Sequence, residues 1–269
     1  MNTQLVSEIQ DLLKKTGQDI LSLYSEEYDI SEKADKSLLT EADLRANKSI
    51  IGFLEKYNWP ILSEESKDDL SRLESSRLWI VDPLDGTNDF IEKTGDFCLM
   101  IGLVEEGQPI LGFVYQPTED KLYFAQKNKG AFLKQGDQAQ KIQVSDQADF
   151  QKANLLVSRS HLGEAEKKLI KEMGIEKLSQ RGSNGIKLGL IAEGKADMFF
   201  NPTNRLGQWD ACAPHVILEE AGGQVTNVDG GKIEYNLTSP KIEKGLAASN
   251  KLVHNDLIKQ TTLLWKNTI

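Results

Sequence analysis

Two aspartates stand three residues apart in the segment 78–87, which reads LWIVDPLDGT. The apolar residues predict a buried strand, and the Pro and Gly that follow predict a turn at its carboxyl end. Such a turn directs Asp82 and Asp85 to one place, with the carbonyl of Leu84 between them. Oxygen ligands of this kind suit Mg²⁺ or a similar hard cation. Zinc is disfavoured, since neither a cysteine nor a pair of histidines is nearby.

The residues after Asp85 indicate a place for phosphate. Gly86 allows the backbone to approach an anion closely, and residues 87–91 have the pattern of a helix start. The free N–H groups at such a start favour phosphate. The hydroxyl of Thr87 lies beside both predicted sites, where it can orient a metal-bound water for attack on phosphorus.

An ordinary surface turn is the alternative interpretation, because Asp-Pro-x-Asp-Gly is a common turn sequence. The flanks favour a functional site: four apolar residues precede the turn, and Glu64 and Glu65 end the preceding apolar run. The spacing differs from the DxD of phosphatases that form an aspartyl phosphate, which favours Asp82 as a ligand rather than a nucleophile. Neither GxxxxGK[ST] nor a GxGxxG turn is present, so nucleoside triphosphate and dinucleotide sites are not expected.

The 269 residues carry 41 acidic and 32 basic side chains, which gives a net charge of −9. This balance argues against a nucleic-acid polymer as partner. Cys98 and Cys212 stand in apolar stretches and are expected to be reduced core residues of a cytoplasmic protein. The apolar runs are far shorter than the ~20 residues of a membrane helix, and the N-terminus has no signal-peptide pattern, so no integral membrane association is expected.

The first 150 residues predict an α+β half. Its predicted elements are an amphipathic helix at 5–23, a second helix from Thr40, strands at 60–63 and 78–81, and an antiparallel meander from 97 to 144. Thr40 is expected to cap the second helix together with Asp43, three positions on.

Helices and strands alternate after residue 150, as in α/β proteins. Strands are predicted at 155–157, 198–200 and 246–248, and helices near 164–173, at 186–193, at 210–221 and through Leu263. The polar connector 137–151 is the expected boundary. The predicted domains are therefore 1–150 and 151–269.

These motifs resemble those of the lithium-sensitive, Mg²⁺-dependent inositol monophosphatase superfamily, in the same order and over most of the chain. The motifs that carry the resemblance are LSEES at 62–66, DPLDGT at 82–87, LTEAD at 39–43, and WDACAP at 209–214 with the Ala-Gly-Gly at 221–223. The resemblance implies a layered αβαβα sugar-phosphatase fold with an N-terminal α+β half and a C-terminal α/β half. The metals would lie between the two halves.

The resemblance also implies a role for each motif. Thr87 and Asp43 would accept the proton of the attacking water. Two or three Mg²⁺ among the carboxylates would offset their mutual repulsion and let an acidic protein accept phosphate. The implied ligands are Glu64, Asp82, the carbonyl of Leu84 and Asp85 for one or more Mg²⁺, and Asp210, which completes a second metal site from the other half.

Within the superfamily, the sequence is most similar to the 3'(2'),5'-bisphosphate nucleotidases of the CysQ type. LVSRSH at 156–161, GSNGIK at 182–187 and residues 209–223 carry this likeness. A substrate with two phosphates needs a second anion site away from the metals, which a helix N-terminus and a Lys supply. The implied substrate contacts are Gly86, Thr87, Asp210, Ser158, His161, Ser183 and Lys187.

Simpler interpretations exist for two of these residues: His161 as a solvent-facing helix cap, and Lys187 as part of a solvated helix face. The sequence also departs from the nucleotidases at Asn88 and Asp89, where Lys and Glu are usual, and in a longer loop at 201–208.

The sequence thus predicts a cytoplasmic Mg²⁺-dependent phosphatase that removes the 3'-phosphate of adenosine 3',5'-bisphosphate and gives AMP and phosphate. Inositol monophosphate, or a sugar phosphate such as fructose 1,6-bisphosphate, is the alternative small phosphorylated substrate. A catalytically silent regulatory or metal-binding module is the alternative of another class. Family members occur as monomers and dimers, so a homodimer stays open.

Overall fold

The computed structural model describes residues 3–25, 30–32, 38–160 and 162–265. Its layers are two helices, a seven-stranded sheet, two helices, a five-stranded sheet and two more helices. A separate cluster of buried side chains fills each of the two outer junctions, and a third joins the two sheets through the middle helices. The αβαβα arrangement expected from the sequence is confirmed.

The seven-stranded sheet belongs to the N-terminal part of the chain, and its strands follow the order β3-β4-β5-β6-β7-β8-β9. β3 and β4 are parallel, and every later pair is antiparallel. The elements of this part are α1 (Thr3–Tyr24), β1 (Ile30–Glu32), β2 (Leu38–Thr40), α2 (Glu41–Leu54), β3 (Ile61–Ser63), β4 (Arg77–Asp85), α3 (Thr87–Ile91), β5 (Cys98–Glu105), β6 (Gln108–Gln116), β7 (Lys121–Gln126), β8 (Gly130–Gln135) and β9 (Gln138–Ile142).

The five-stranded sheet belongs to the C-terminal part, with the order β11-β10-β12-β14-β13. β10 is parallel to both of its neighbours, and β14 is antiparallel to both of its own. The elements are β10 (Asn154–Ser158), α4 (Glu164–Met173), β11 (Lys177–Arg181), α5 (Asn184–Ala192), β12 (Met198–Asn201), α6 (Cys212–Glu220), β13 (Gln224–Thr226), β14 (Leu246–Ser249) and α7 (His254–Trp265).

The sequence missed some strands, and these are short or polar. β11 reads KLSQR and lies at the edge of its sheet, so it carries no apolar alternation. Part of the polar connector predicted at 137–151 forms β9, whose side chains are exposed except for Ile142. The antiparallel meander and the bounds of α4 agree with the prediction.

The long N-terminal helix is amphipathic, and its buried residues face the seven-stranded sheet. α2 lies beside it and begins with a capping box, in which Thr40 and Asp43 bond each other's backbone. Among the described residues, no helix combines the length and the apolar character needed to cross a bilayer.

α6 lies unusually close to the seven-stranded sheet, over two glycines. Gly102 of β5 and Gly112 of β6 are register partners. A Cβ on Gly102 would lie 2.5 Å from the Sγ of Cys212, and one on Gly112 would lie 2.3 Å from the carbonyl oxygen of Ala213. The helix backbone therefore rests on the sheet backbone, and Asp210, two residues before α6, is carried to the sheet with it.

We predict that Gly112→Ala lowers the free energy of unfolding by about 1–3 kcal/mol, because a methyl group there overpacks against backbone. Urea denaturation monitored by circular dichroism measures the change. Gly52→Ala is the matched control: it lies inside α2 with nothing within 4 Å of an added Cβ, and it should stabilise the protein by about 0.5–1 kcal/mol. Equal stability of Gly112→Ala and the parent would contradict the close approach.

Candidate active site

Asp82 and Asp85 lie at the carboxyl end of β4, where the strand bulges. Asp82 pairs with Met100 of β5 and Asp85 pairs with Cys98, so β4 has one more residue than β5 between the two pairs. The backbone N–H of Leu84 donates to Oδ1 of Asp82 at 3.1 Å. This turn brings the two carboxyl groups to one side, as its sequence predicts.

Asp210 reaches the same place from the other half of the chain. The ligand oxygens of Asp82, Asp85 and Asp210 all lie within 4.8 Å of one another. The N–H of Gly207 donates to Oδ2 of Asp210 at 2.6 Å, and Nδ2 of Asn184 donates to its Oδ1 at 3.1 Å. The structure thus brings together three of the predicted metal ligands.

Glu64, the fourth predicted carboxylate ligand, comes directly after β3, the parallel neighbour of β4. The N–H of Glu64 donates to the carbonyl of Val81 at 3.2 Å. Because Ser63 pairs with Val81 in the parallel strands, Glu64 lies beside Asp82 of the neighbouring strand. Its charge raises the pKa of Asp82, Asp85 and Asp210. Glu64 therefore acts electrostatically on the other three.

Burial and mutual repulsion disfavour the ionised form of the carboxyl groups in this cluster. Burial raises the pKa of Asp82 well above its usual value, and repulsion from Glu64, Asp85 and Asp210 raises it further. Burial, followed by repulsion from Asp85 and Glu64, raises the pKa of Asp210 to about 7. A divalent cation removes this repulsion, and a donor set made only of oxygen suits Mg²⁺. The residues present fit that ion.

The carboxylate of Asp85 is held by the start of α5. Its Oδ2 accepts hydrogen bonds from Oγ of Ser183 at 2.5 Å and from the N–H of Gly185 at 2.7 Å. The thiol of Cys98, a buried free cysteine, lies 3.1 Å from the Ser183 Oγ. The same Ser183 oxygen caps α5 by accepting from the N–H of Ile186. One side chain therefore fixes both a helix start and a predicted metal ligand.

The predicted catalytic pair, Thr87 and Asp43, is in contact. Oγ1 of Thr87 lies 3.0 Å from Oδ1 of Asp43 and 3.3 Å from the carbonyl oxygen of Leu84. Oδ2 of Asp43 accepts from the N–H of Thr40 at 2.7 Å and from its hydroxyl at 2.6 Å. Burial raises the pKa of Asp43, although its hydrogen bonds with Thr40 and Thr87 lower it part of the way. Gly86, which precedes Thr87, has a φ of 97°, in the region that favours glycine.

The predicted nucleotide contacts have different surroundings. Ser158 is half-buried at the end of β10, beside Arg181 of β11. Ser183 is buried and bonds the Asp85 carboxylate. Lys187 is 1% exposed, and its Nζ donates to the carbonyl of Gly182 at 2.9 Å. Burial lowers the pKa of Lys187 to about 8. Ser183 and Lys187 therefore bond protein groups here, and their role toward a nucleotide stays a prediction. His161 lies outside the described residues.

Sequence reasoning missed two residues that serve this site. Asn184 holds Asp210, and Arg159 bonds Asp89 of α3 across the two halves. Both stand inside segments that the sequence had singled out, 182–187 and 156–161. The available signal was their position in the sequence, since each is a polar residue directly after a predicted nucleotide contact, Ser183 or Ser158.

The sequence matches the family model described as the inositol monophosphatase family over residues 1–265. The chain belongs to the inositol monophosphatase family. It is 32% identical over 252 residues to the 3'(2'),5'-bisphosphate nucleotidase CysQ of Escherichia coli (strain K12), which covers 91% of this chain and 99% of that protein. This confirms the resemblance to the CysQ type.

Solved structures of the inositol monophosphatase family agree with this. CysQ from Bacteroides thetaiotaomicron, described as a bacterial member of the family, has a TM-score of 0.79 and 33% identity, covering 90% of this chain and 95% of that one. An IMPase/NADP phosphatase complexed with Mg²⁺ and phosphate has a TM-score of 0.80 and 25% identity, covering 96% of this chain and 94% of that one. Enzymes of the family use Mg²⁺, which the acidic cluster of this chain fits.

We predict that Ser183→Ala weakens Mg²⁺ binding about 10- to 100-fold, because the Asp85 carboxylate loses one of the two bonds that orient it. Isothermal titration calorimetry of the metal-free protein with Mg²⁺ measures this. Ser183→Thr keeps the hydroxyl and should bind nearly as the parent does. An unchanged affinity of Ser183→Ala would remove the positioning role.

We predict that the free energy of unfolding of the metal-free protein falls as the pH rises from about 4 to about 7, because the acidic cluster ionises over this range. The raised pKa values of Asp82 and Asp210 mean that the folded state binds more protons than the unfolded state in this range. Added Mg²⁺ should raise the melting temperature more at the upper end of the range, since it binds the ionised carboxylates.

Melting temperatures in EDTA and in Mg²⁺ across this range provide the measurement. Asp210→Asn, which cannot ionise, should show a smaller fall with pH and a smaller gain with Mg²⁺. A Mg²⁺ gain that is the same at both ends of the range would contradict the prediction.

Proposed function

We propose that this protein is a Mg²⁺-dependent phosphatase that hydrolyses the 3'-phosphate of adenosine 3',5'-bisphosphate to AMP and phosphate. The observation that carries the proposal is the contact of Thr87 with Asp43 beside a cluster of carboxylates from both halves, of which Asp82 and Asp85 are buried and Asp210 is half-buried. A hydroxyl that shares a proton with a carboxylate, placed next to a metal site, is the arrangement needed to activate a water.

The proton of the attacking water has a defined route in this proposal. The water donates to Oγ1 of Thr87 as the hydroxyl proton moves to Oδ1 of Asp43, 3.0 Å away. Both oxygens of Asp43 are then engaged, because Oδ2 holds the backbone and hydroxyl of Thr40. The raised pKa of Asp43 favours its holding a proton during turnover. No side chain has to act as a nucleophile.

The metal ligands in the proposal are Glu64, Asp82, Asp85, Asp210 and the carbonyl of Leu84. We propose that they hold two or three Mg²⁺, which when bound polarise the phosphate oxygens and acidify water. Ser183, Gly185 and Asn184 orient two of these carboxylates in advance, which limits their reorganisation when the metals bind.

The choice of substrate rests on the relatives. The nucleotidases named CysQ act on 3'(2'),5'-bisphosphate nucleotides by their name, and they match this chain over nearly its whole length. We propose the same substrate here, with Gly86 and Thr87 at the scissile phosphate and Ser158 and His161 on the nucleotide side. The division into domains 1–150 and 151–269, the cytoplasmic location and any homodimer belong to the same proposal.

A second candidate substrate is inositol monophosphate or another sugar phosphate. Inositol monophosphate is favoured by the likeness to an IMPase/NADP phosphatase, whose name includes IMPase activity. The acidic cluster and the Thr87–Asp43 pair would serve either substrate equally, so only kinetics separate them.

We predict that the purified protein releases phosphate from adenosine 3',5'-bisphosphate in Mg²⁺ with a kcat/KM at least about tenfold above that for inositol 1-phosphate or fructose 1,6-bisphosphate. Phosphate release is measured in parallel, and chromatography identifies AMP as product. Asp82→Asn should lose activity by orders of magnitude and stay folded, and Thr87→Val should lose about 100-fold or more.

Preference for the inositol or sugar phosphate would replace the substrate and keep the hydrolase. Absence of release from every ester in Mg²⁺ would favour a catalytically silent metal-binding module. Near-normal activity of Asp82→Asn would remove this carboxylate from the mechanism.

A further inference from the structure

A guanidinium from the C-terminal half bonds two carboxylates of the N-terminal half, in and after α3, the helix that begins with Thr87. Nη1 of Arg159 donates to Oδ1 of Asp89, and Nη2 donates to Oδ2 of Asp96 at 2.7 Å. The side chain of Asp89 is 3% exposed, and that of Asp96 is also mostly buried. These three residues are called the Arg159 bridge below.

The two carboxylates belong to the segment that shapes the site. Asp89 lies in α3, two residues after Thr87, and its Oδ1 and carbonyl also accept bonds from Thr94. Asp96 ends the loop that follows α3, and its carbonyl accepts from the N–H of Ser183 at 3.2 Å. The bridge therefore connects the helix that carries Thr87 with the residue that orients Asp85.

The C-terminal side of the bridge is equally fixed. Arg159 follows β10 directly, and its N–H donates to the carbonyl of Arg181 at 3.1 Å. The N–H of Gly182 donates to Oδ2 of Asp96 at 3.3 Å. A Cβ on Gly182 would lie 1.9 Å from Oδ2 of Asp89, so the backbone of this half rests against the α3 carboxylate. The junction leaves no room for α3 to shift toward β11.

Charge and geometry make arginine the residue suited to this place. A nearly buried carboxylate such as Asp89 is costly without a cation, and one guanidinium can serve two carboxylates through separate N–H groups. An ammonium on a lysine is a single point and bridges them less well. Partial burial lowers the pKa of Arg159, but Asp96 and Asp89 outweigh it and raise the pKa overall, so the guanidinium stays charged.

We propose that Arg159 is a positioning residue of the hydrolase: through Asp89 and Asp96 it holds α3, and with it Thr87, at a fixed place relative to Ser183 and Asp210. This proposal rests on the proposed function, because turnover needs Thr87 and the acidic cluster to act on one phosphate. Arg159 acts only through other residues and needs no contact with the substrate.

The test compares Arg159→Gln and Arg159→Lys with the parent on the phosphate ester that the parent hydrolyses best. Arg159→Gln should lower kcat about 10- to 100-fold, because a displacement of α3 by about 1 Å moves Thr87 out of alignment. Arg159→Lys should recover part of kcat. Mg²⁺ affinity, measured calorimetrically, should change little, because Asp85 and Asp210 keep their own bonds.

Arg77→Gln is the matched control, since Arg77 forms an exposed ion pair with Glu105 at the opposite end of β4. It removes a guanidinium from an ion pair outside the site and should leave kcat unchanged. The double variant Arg159→Gln/Asp89→Asn should be no slower than Arg159→Gln, because it also removes the buried Asp89 charge that Arg159→Gln leaves without its cation.

Hydrogen exchange gives a readout that does not depend on activity. In Arg159→Gln the amides of residues 86–97 should exchange faster than in the parent, while those of β5 to β8 should not. Unchanged exchange in 86–97 overturns the proposal. So does a kcat of Arg159→Gln equal to that of Arg77→Gln.

If the parent releases no phosphate from any ester, the proposed function fails and the proposal that Arg159 positions Thr87 for hydrolysis fails with it. Faster exchange in 86–97 would then support only the structural part, that the Arg159 bridge holds α3. An active parent with an unaffected Arg159→Gln would instead overturn the Arg159 proposal alone.

Discussion

The repulsion among four carboxylates is the constraint on which the rest of the structure depends. Glu64, Asp82 and Asp85 lie at adjacent strand ends of one sheet, and Asp210 lies two residues before a helix that packs against that sheet. Chains avoid such groupings unless they bind a cation or transfer protons. The two glycines under α6, the cap at Ser183 and the amide of Asn184 all keep these oxygens close despite their repulsion.

The site is assembled from both halves, which explains why its polar supports cross the junction between the two sheets. Ser183 and Gly185 belong to α5 but bond Asp85 of β4. Arg159 follows β10 but bonds Asp89 and Asp96. The C-terminal half therefore orients carboxylates that the N-terminal half supplies, and it adds Asp210 to the same cluster.

The sequence predicted the local parts of this site, because they follow from short patterns, and the family resemblance predicted the layered fold. The spacing of Asp82 and Asp85 and the capping pair Thr40–Asp43 can be read along the chain. The meeting of Asp210 with them came only through the family resemblance. The inward direction of Ser183 and Lys187 could not be predicted, because it depends on which sheet α5 packs against. β11 was missed because a polar edge strand has no hydrophobic period.

The contact of α6 with Gly102 and Gly112 has a consequence for the tolerance of the site to change. Where a helix is separated from a sheet by side chains, each substitution between them alters the gap by the volume gained or lost. At Gly112 the helix main chain touches the sheet main chain, so the gap there is set by atomic radii that no substitution can shrink. Substitutions elsewhere in the hydrophobic core therefore have little effect on the distance from Asp210 to Asp82 and Asp85.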